Sequence, residues 1–228
     1  MDWSGIEKHV AERLPTVLDM NSIQSLTFTS PDPAAARAFH EAAFGRDPRI
    51  RTEASDAPTS GYRGYAVSLL VARPSIVDAL ARTAAEAGAT TLKPPKKSFW
   101  GYGAVLQAPD GSIWKLASST KKDEGPAEPR IDDIVLLLGV HDVAATKRFY
   151  LDQGFGVAKS FGRRYVEFDS APGSVKLALY GRKAAAKDAG VAPEGSGSHR
   201  LLITGDAGPV TDPDGFEWRA AQADGHAA

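Results

Sequence analysis

The amino-acid sequence predicts an α+β protein built from two similar halves behind an N-terminal helix. Three observations carry that reading. A strand-like run, an aspartate and an amphipathic helix occur twice. A Pro-Asp-Gly turn followed by a Trp-bearing strand closes each half. A polar, proline-containing stretch, Ser119 to Pro129, separates the two. At 228 residues the chain is long enough for one large domain or two small ones.

Taken in order, residues 4–18 read as a helix: Ser4 and Glu7 have capping-box spacing, and Ile6, Val10, Leu14 and Val17 recur every three or four residues. A first strand over 23–29 leads to Asp32, a plausible helix cap, and to the helix carrying Phe39 and His40. Gly45 ends that helix. The second copy runs from a strand over 134–140 through Asp142 to Phe149 and Tyr150, with Gly156 as the matching stop. Strands are also expected at 65–72, 99–107, 165–168, 175–180 and 199–204, an amphipathic helix at 75–88 and a short helix at 183–188. The Lys93-Pro94-Pro95-Lys96-Lys97 run reads as a solvated loop. Ala108 to Leu116 and Asp212 to Ala220 are the two closing turn-and-strand segments, in which Pro presets φ and Gly accepts a positive φ. The expected organisation is a helical extension over 1–20, a first domain over 21–120, a linker over 121–130, a second domain over 131–222 and a tail over 223–228.

Composition narrows the function. Cysteine is absent, which excludes disulfides, thiolate metal sites and a cysteine nucleophile. Lys plus Arg number 27 against 28 Asp plus Glu, so no basic excess favours nucleic acid, and no nucleic-acid partner is expected. No segment approaches the roughly 18 apolar residues of a membrane span, so no membrane partner is expected. The first residues lack the apolar core of a secretory signal, and the expected location is the cytoplasm. P-loop, G-x-S-x-G and H-E-x-x-H signatures are all missing.

The duplicated strand–Asp–helix and Pro-Asp-Gly–Trp pairs, about 110 residues apart, resemble the vicinal oxygen chelate superfamily over residues 22–221. That superfamily includes glyoxalase I, bleomycin and fosfomycin resistance proteins and extradiol dioxygenases. The resemblance implies two glyoxalase-like domains of paired βαβββ modules, whose curved mixed sheets enclose a cup. The tandem form implies a monomer or homodimer. It also implies a divalent metal held by a His on the first strand of each module and a Glu on the last. Transferred to this chain, the first-strand position is Ser25 in one half and Asp133 or Val135 in the other. The middle position falls within 65–69, where there is no His, and on Arg200 beside His199. The last-strand positions are Lys115 and Arg219, which cannot ligate a cation. No metal and no other cofactor is therefore expected.

Lys115 and Arg219 instead suit an anionic ligand group, the Lys as a point charge and the Arg as a fork. Ser25 and Arg200 share the ligand-facing positions. Trp100 and Tyr102, in Phe99-Trp100-Gly101-Tyr102-Gly103, would supply an aromatic wall. His199 and Asp133 are the acid–base candidates, forming a cluster with Arg219 if all three share one cup. Trp114, Trp218, His40 and His141 read as structural. Three functions follow. The first is a metal-independent protein binding a small, anionic or aromatic molecule in a cup. The second is an enzyme, either a glyoxalase-like lyase or dioxygenase using Asp133, His199 and Glu217, or a metal-free acid–base catalyst. The third is an interaction protein whose cup is filled.

Overall fold

A computed structural model describes residues 21–98, 101–123 and 130–221. The helix expected over 4–18, Trp100, most of the linker and the tail over 223–228 lie outside these residues. The chain opens with β1 (Ile23–Ser30), α1 (Pro33–Phe44), β2 (Ile50–Ala54) and the short β3 (Thr59–Gly61). Then come β4 (Tyr65–Leu70), α2 (Pro74–Glu86), β5 (Thr90–Ser98), β6 (Gly101–Gln107) and β7 (Ile113–Ser118). Beyond the linker lie β8 (Asp133–Val140), α3 (Val143–Asp152), β9 (Val157–Phe161), β10 (Tyr165–Phe168) and β11 (Lys176–Gly181). The chain ends with α4 (Arg182–Ala189), β12 (Gly195–Gly197), β13 (Leu201–Gly205), β14 (Val210–Thr211) and β15 (Glu217–Ala220).

Two βαβββ units make a mixed eight-stranded sheet of order β5-β6-β7-β4-β8-β11-β10-β9. In each unit the first strand runs parallel to the last, β4 with β7 and β8 with β11. The units join through antiparallel pairing of β4 with β8. A five-stranded sheet of order β14-β15-β13-β1-β2 uses the two ends of the described chain, and β12 pairs with β3 in a small ribbon. Both larger sheets thus draw strands from either side of residues 121–130. No helix among the described residues is long and apolar enough to cross a membrane.

Period-two alternation sets the faces. Ile134, Leu136, Leu138 and Val140 of β8 and Tyr65, Val67 and Leu69 of β4 point into the helix-covered core. Asp133, Val135 and Leu137 of β8 and Ser68 of β4 point to the opposite, concave face. Both repeat helices are capped as the sequence predicts: Asp32 accepts from the Ala35 N–H at 2.9 Å, and Asp142 accepts from Ala144 and Ala145. The Pro-Asp-Gly segments are tight turns, closed by Gly111 N to Ala108 O at 2.8 Å and Gly215 N to Asp212 O at 3.0 Å.

Two expectations are corrected. The second repeat helix stops at Asp152, and Gly154, with φ of 88°, makes the turn instead of Gly156. The Lys93 to Lys97 run is not a loop but part of edge strand β5. Its prolines lack the N–H that an inner strand would need, and its lysines discourage pairing with another chain.

Trp114 and Trp218 anchor equivalent places in the two halves, but their surroundings have diverged. In the second half Trp218 Nε1 donates to Tyr150 Oη at 3.2 Å, and Tyr150 Oη donates to buried Asp212 at 2.8 Å. In the first half the repeat partner of Tyr150 is His40, and that of Asp212 is Ala108. His40 is 4% exposed, packed between Phe28, Phe39 and Trp114, and neither ring nitrogen has a hydrogen-bond partner. Trp114 donates instead to Ser112 Oγ at 2.9 Å. Burial holds the His40 pKa below its ordinary 6.5, against the weaker opposing pull of Asp110.

The unfolded chain therefore takes up a proton at His40 before the folded one does, so stability falls as pH drops below about 6.5. Chemical denaturation between pH 7 and 5 is expected to show a shallower loss of stability in His40→Phe than in the wild type. Parallel pH profiles would show that another group dominates that window.

Candidate functional site

The concave face of the eight-stranded sheet carries two of the candidates, Lys115 and Asp133. Register places Lys115 opposite Ser68, Ser68 opposite Val135, and Val135 opposite Lys176. These four residues form one row across β7, β4, β8 and β11, with the two lysines at its ends. Three inter-strand steps put the end Cα atoms about 14 Å apart along the sheet. The side chains of Lys115 and Lys176 are 21% and 31% exposed. Between and beside them Ser68, Leu70, Ala117 and Val135 are half-buried, so this part of the floor meets solvent.

Each lysine has an internal carboxylate. Lys176 Nζ lies 2.8 Å from Asp133 Oδ2, on the neighbouring strand of the same floor. Lys115 is paired with Asp188, which belongs to α4. This helix sits inside the cup and covers its other end. Ala185, Ala186 and Ala189 of α4 pack with Tyr62, Ala66, Val105 and Ile113. Gly139 makes the approach possible: a Cβ there would stand 2.9 Å from Tyr62 Oη and 3.1 Å from Ala185 Cβ. Arg182 ties the start of α4 to the carbonyls of Tyr62 and Pro193 at 2.8 and 3.0 Å. Lys93 holds its end, donating to the carbonyls of Lys187 and Asp188 at 2.9 and 2.6 Å.

In the five-stranded sheet, Ser25, Thr204 and Arg219 form the corresponding row. Ser25 is fully buried and its hydroxyl has no partner. Arg219 meets Glu53 at 2.7 and 2.9 Å, about half exposed on both sides, a geometry that contributes little to stability.

The remaining candidates lie elsewhere. His199 stacks on Phe216 at 3.9 Å, and its nitrogens face two backbone carbonyls, Arg63 O at 2.5 Å and Asp214 O at 3.0 Å. Neither nitrogen is directed at a carboxylate. Arg200, with φ of 51°, donates to the carbonyls of Ser55 and Ala57 and so fastens the 55–57 loop. Tyr102 Oη donates to Asp78 of α2 at 2.7 Å, which puts this ring on the helix side of the sheet, away from the cup. Asp133, His199 and Arg219 therefore do not share one cup: Asp133 is on the eight-stranded floor, Arg219 on the five-stranded one, and His199 between backbone segments. Glu217 is exposed on β15.

Sequence reasoning missed Lys176, Ser68 and Asp188. Lys176 opens a strand that the sequence predicts, and its alternation with Leu177 and Leu179 is the signal that it faces away from the core. Asp188 closes the predicted short helix, but nothing local says that this helix enters the cup.

The donor chemistry tests a metal directly. On the central row the two ammonium groups and the valine offer a divalent cation no donor, the single Ser68 hydroxyl is a weak one, and the lysines repel a cation. Among the described residues no group of three or more His, Cys, Asp or Glu side chains is placed to hold a metal.

No family model matches the sequence, and no curated protein matches it. Solved structures do match the fold. Glyoxalase I from Zea mays superimposes with a TM-score of 0.57 at 15% identity, covering 88% of this chain and 92% of that one. A glyoxalase I variant from the same plant gives 0.55 at 15% identity over 90% and 95% of the two chains. A glyoxalase/bleomycin resistance protein/dioxygenase family enzyme from Burkholderia phytofirmans, at 24% identity, aligns with 43% of this chain and 98% of its own, with a TM-score of 0.39.

Purified protein incubated with zinc, nickel, manganese or iron(II) and then dialysed is expected to retain far less than one metal per chain by elemental analysis. Near-stoichiometric retention would overturn the reading of the lysine row.

Proposed function

We propose that this chain, which has the vicinal oxygen chelate fold, binds a small anionic molecule without a metal in the half-open cup of its eight-stranded sheet. The observation that supports this is the row Lys115–Ser68–Val135–Lys176, which sets two partly exposed ammonium groups on the floor of a concave sheet. A carboxylate entering the cup meets Lys115 as a point charge in a partly desolvated setting, where Coulomb attraction exceeds its value in water. Ser68 offers a hydroxyl, and Leu70, Ala117 and Val135 offer an apolar bed for the body of the ligand. Asp133 holds Lys176 in place across the floor.

A second reading, an interaction protein with a filled cup, is favoured by one observation: α4 already occupies part of the concave face through three buried alanines. Benzoate, a small aromatic carboxylate, separates the two. Titration followed by amide chemical shifts is expected to saturate, with shifts at Ser68, Lys115 and Val135. Lys115→Met is expected to weaken binding by about tenfold or more, the range for losing a hydrogen bond to a charged group, and Lys176→Met, about 14 Å along the row and paired with Asp133, by less. Arg219→Ala, on the other sheet, is expected to leave the dissociation constant unchanged. Absence of saturable binding favours the filled cup.

A further inference from the structure

We infer that α4 is a displaceable gate on this cup, and that its Asp188 carboxylate is an internal competitor for the anion that Lys115 binds. This inference rests on the small-molecule reading above. It follows from how unevenly α4 is held. The buried face of the helix carries only alanines, Ala185, Ala186 and Ala189, each contributing a single methyl to the packing. Apolar burial scales with area, so eight residues seated on three methyl groups are held mainly by their polar ties. At the start of the helix those ties are to neutral groups: the Arg182 guanidinium donates to two carbonyls and lies 5.2 Å from the centre of the Tyr62 ring. An incoming anion has no competing claim there.

At the end of the helix, beyond the backbone bonds of its own last turn and the packing of Val191 that follows it, the side-chain ties run to ammonium groups. Lys115 takes the Asp188 carboxylate, and Lys93 takes the Lys187 and Asp188 carbonyls. An anion in the cup competes for these same cations. The end of α4 is also where the chain turns sharply, at Gly190 with φ of 81°. Asp188 and a ligand carboxylate therefore compete for the Lys115 ammonium. The ligand displaces the end of the helix while Arg182 keeps its start in place. Asp188 further marks the chemistry of the group it stands in for: a carboxylate, or an anion of that size.

A ligand that binds only the undocked state has its affinity reduced by the fraction of molecules in that state. Benzoate binding is therefore to be compared in the wild type, Asp188→Asn and Lys93→Met, with thermal melting to confirm folding. Asp188→Asn removes the competitor at constant shape and is expected to tighten binding by about tenfold. It also unmasks a positive charge, which would by itself attract an anion. Lys93→Met separates the two effects: it lowers the positive charge of the cup yet frees the end of α4, and tighter binding in this variant as well is expected. Benzoate should also accelerate amide hydrogen exchange at 186–190 in the wild type while leaving Leu136 protected. Equal dissociation constants in all three proteins would overturn the gate and leave the cup reading standing. No binding to Asp188→Asn, folded and with its cup unblocked, would overturn both.

Discussion

The antiparallel contact between β4 and β8 is the constraint on which the rest depends. It joins two βαβββ units, and six residues of each strand pair in unbroken register from Tyr65–Leu138 to Leu70–Asp133. Both strands are central, so each must satisfy two different faces at once. Leu136 and Leu138 fill the core while Val135 and Leu137 line the cup, and a slip of one residue would exchange these sets. The same register fixes the chemistry. Ser68 stands beside Val135 only because Tyr65 stands opposite Leu138, and the two lysines reach the ends of one row only because each unit then pairs its first strand with its last. A site made in this way belongs to neither half of the sequence alone.

That dependence explains which features were legible. Helix caps and tight turns are local, and Asp32, Asp142 and the two Pro-Asp-Gly segments announce themselves within a few residues. The apolar alternation of β8 and β4 is equally plain. Lys115 is legible because it follows a recognisable turn and strand; alternation with Leu177 and Leu179 gives the face of Lys176, but its place on the row of Lys115 needs the pairing of β11 with β8. Edge strand β5 was hidden because its prolines and lysines are the residues that also mark loops; only its place at the rim of the sheet reconciles them with a strand. The position of α4 has no local signal at all. A short, alanine-rich, charged helix reads the same whether it lies on a surface or inside a cup.

The two halves show how a repeated framework diverges around a fixed anchor. Trp218 and Trp114 occupy matching places, yet one belongs to a completed chain of hydrogen bonds and the other to a cage of rings. Around Trp218 the Tyr150 hydroxyl, its pKa raised by burial and by the adjoining Asp212 carboxylate, donates a hydrogen bond to that carboxylate. Where Ala108 replaces the aspartate, a tyrosine would have lost its acceptor. His40 fills the space with a ring that is tolerated while neutral, and its two bare nitrogens carry the desolvation cost. The sheet and the tryptophan persist because they bury apolar area, which is indifferent to such polar exchanges.

The cup shows the same exchange with a larger consequence. A chelating floor attracts a cation and uses it to hold oxygen atoms; a floor with ammonium groups attracts oxygen anions directly. Lysines left bare in a concave, partly desolvated sheet would repel each other and lower their own stability, so the chain supplies carboxylates. One of them, Asp133, is built into the floor and cannot leave without unpairing a strand. The other, Asp188, arrives on a helix whose buried side has been reduced to alanine and whose approach requires Gly139 to have no side chain. A larger residue at Ala185 would collide with that close approach, and a stronger apolar seat would make the helix permanent. The balance between a neutralised cup and an accessible one is thus set by side-chain size on one short helix: small enough to fit over the strand, and too small to hold there without its lysines.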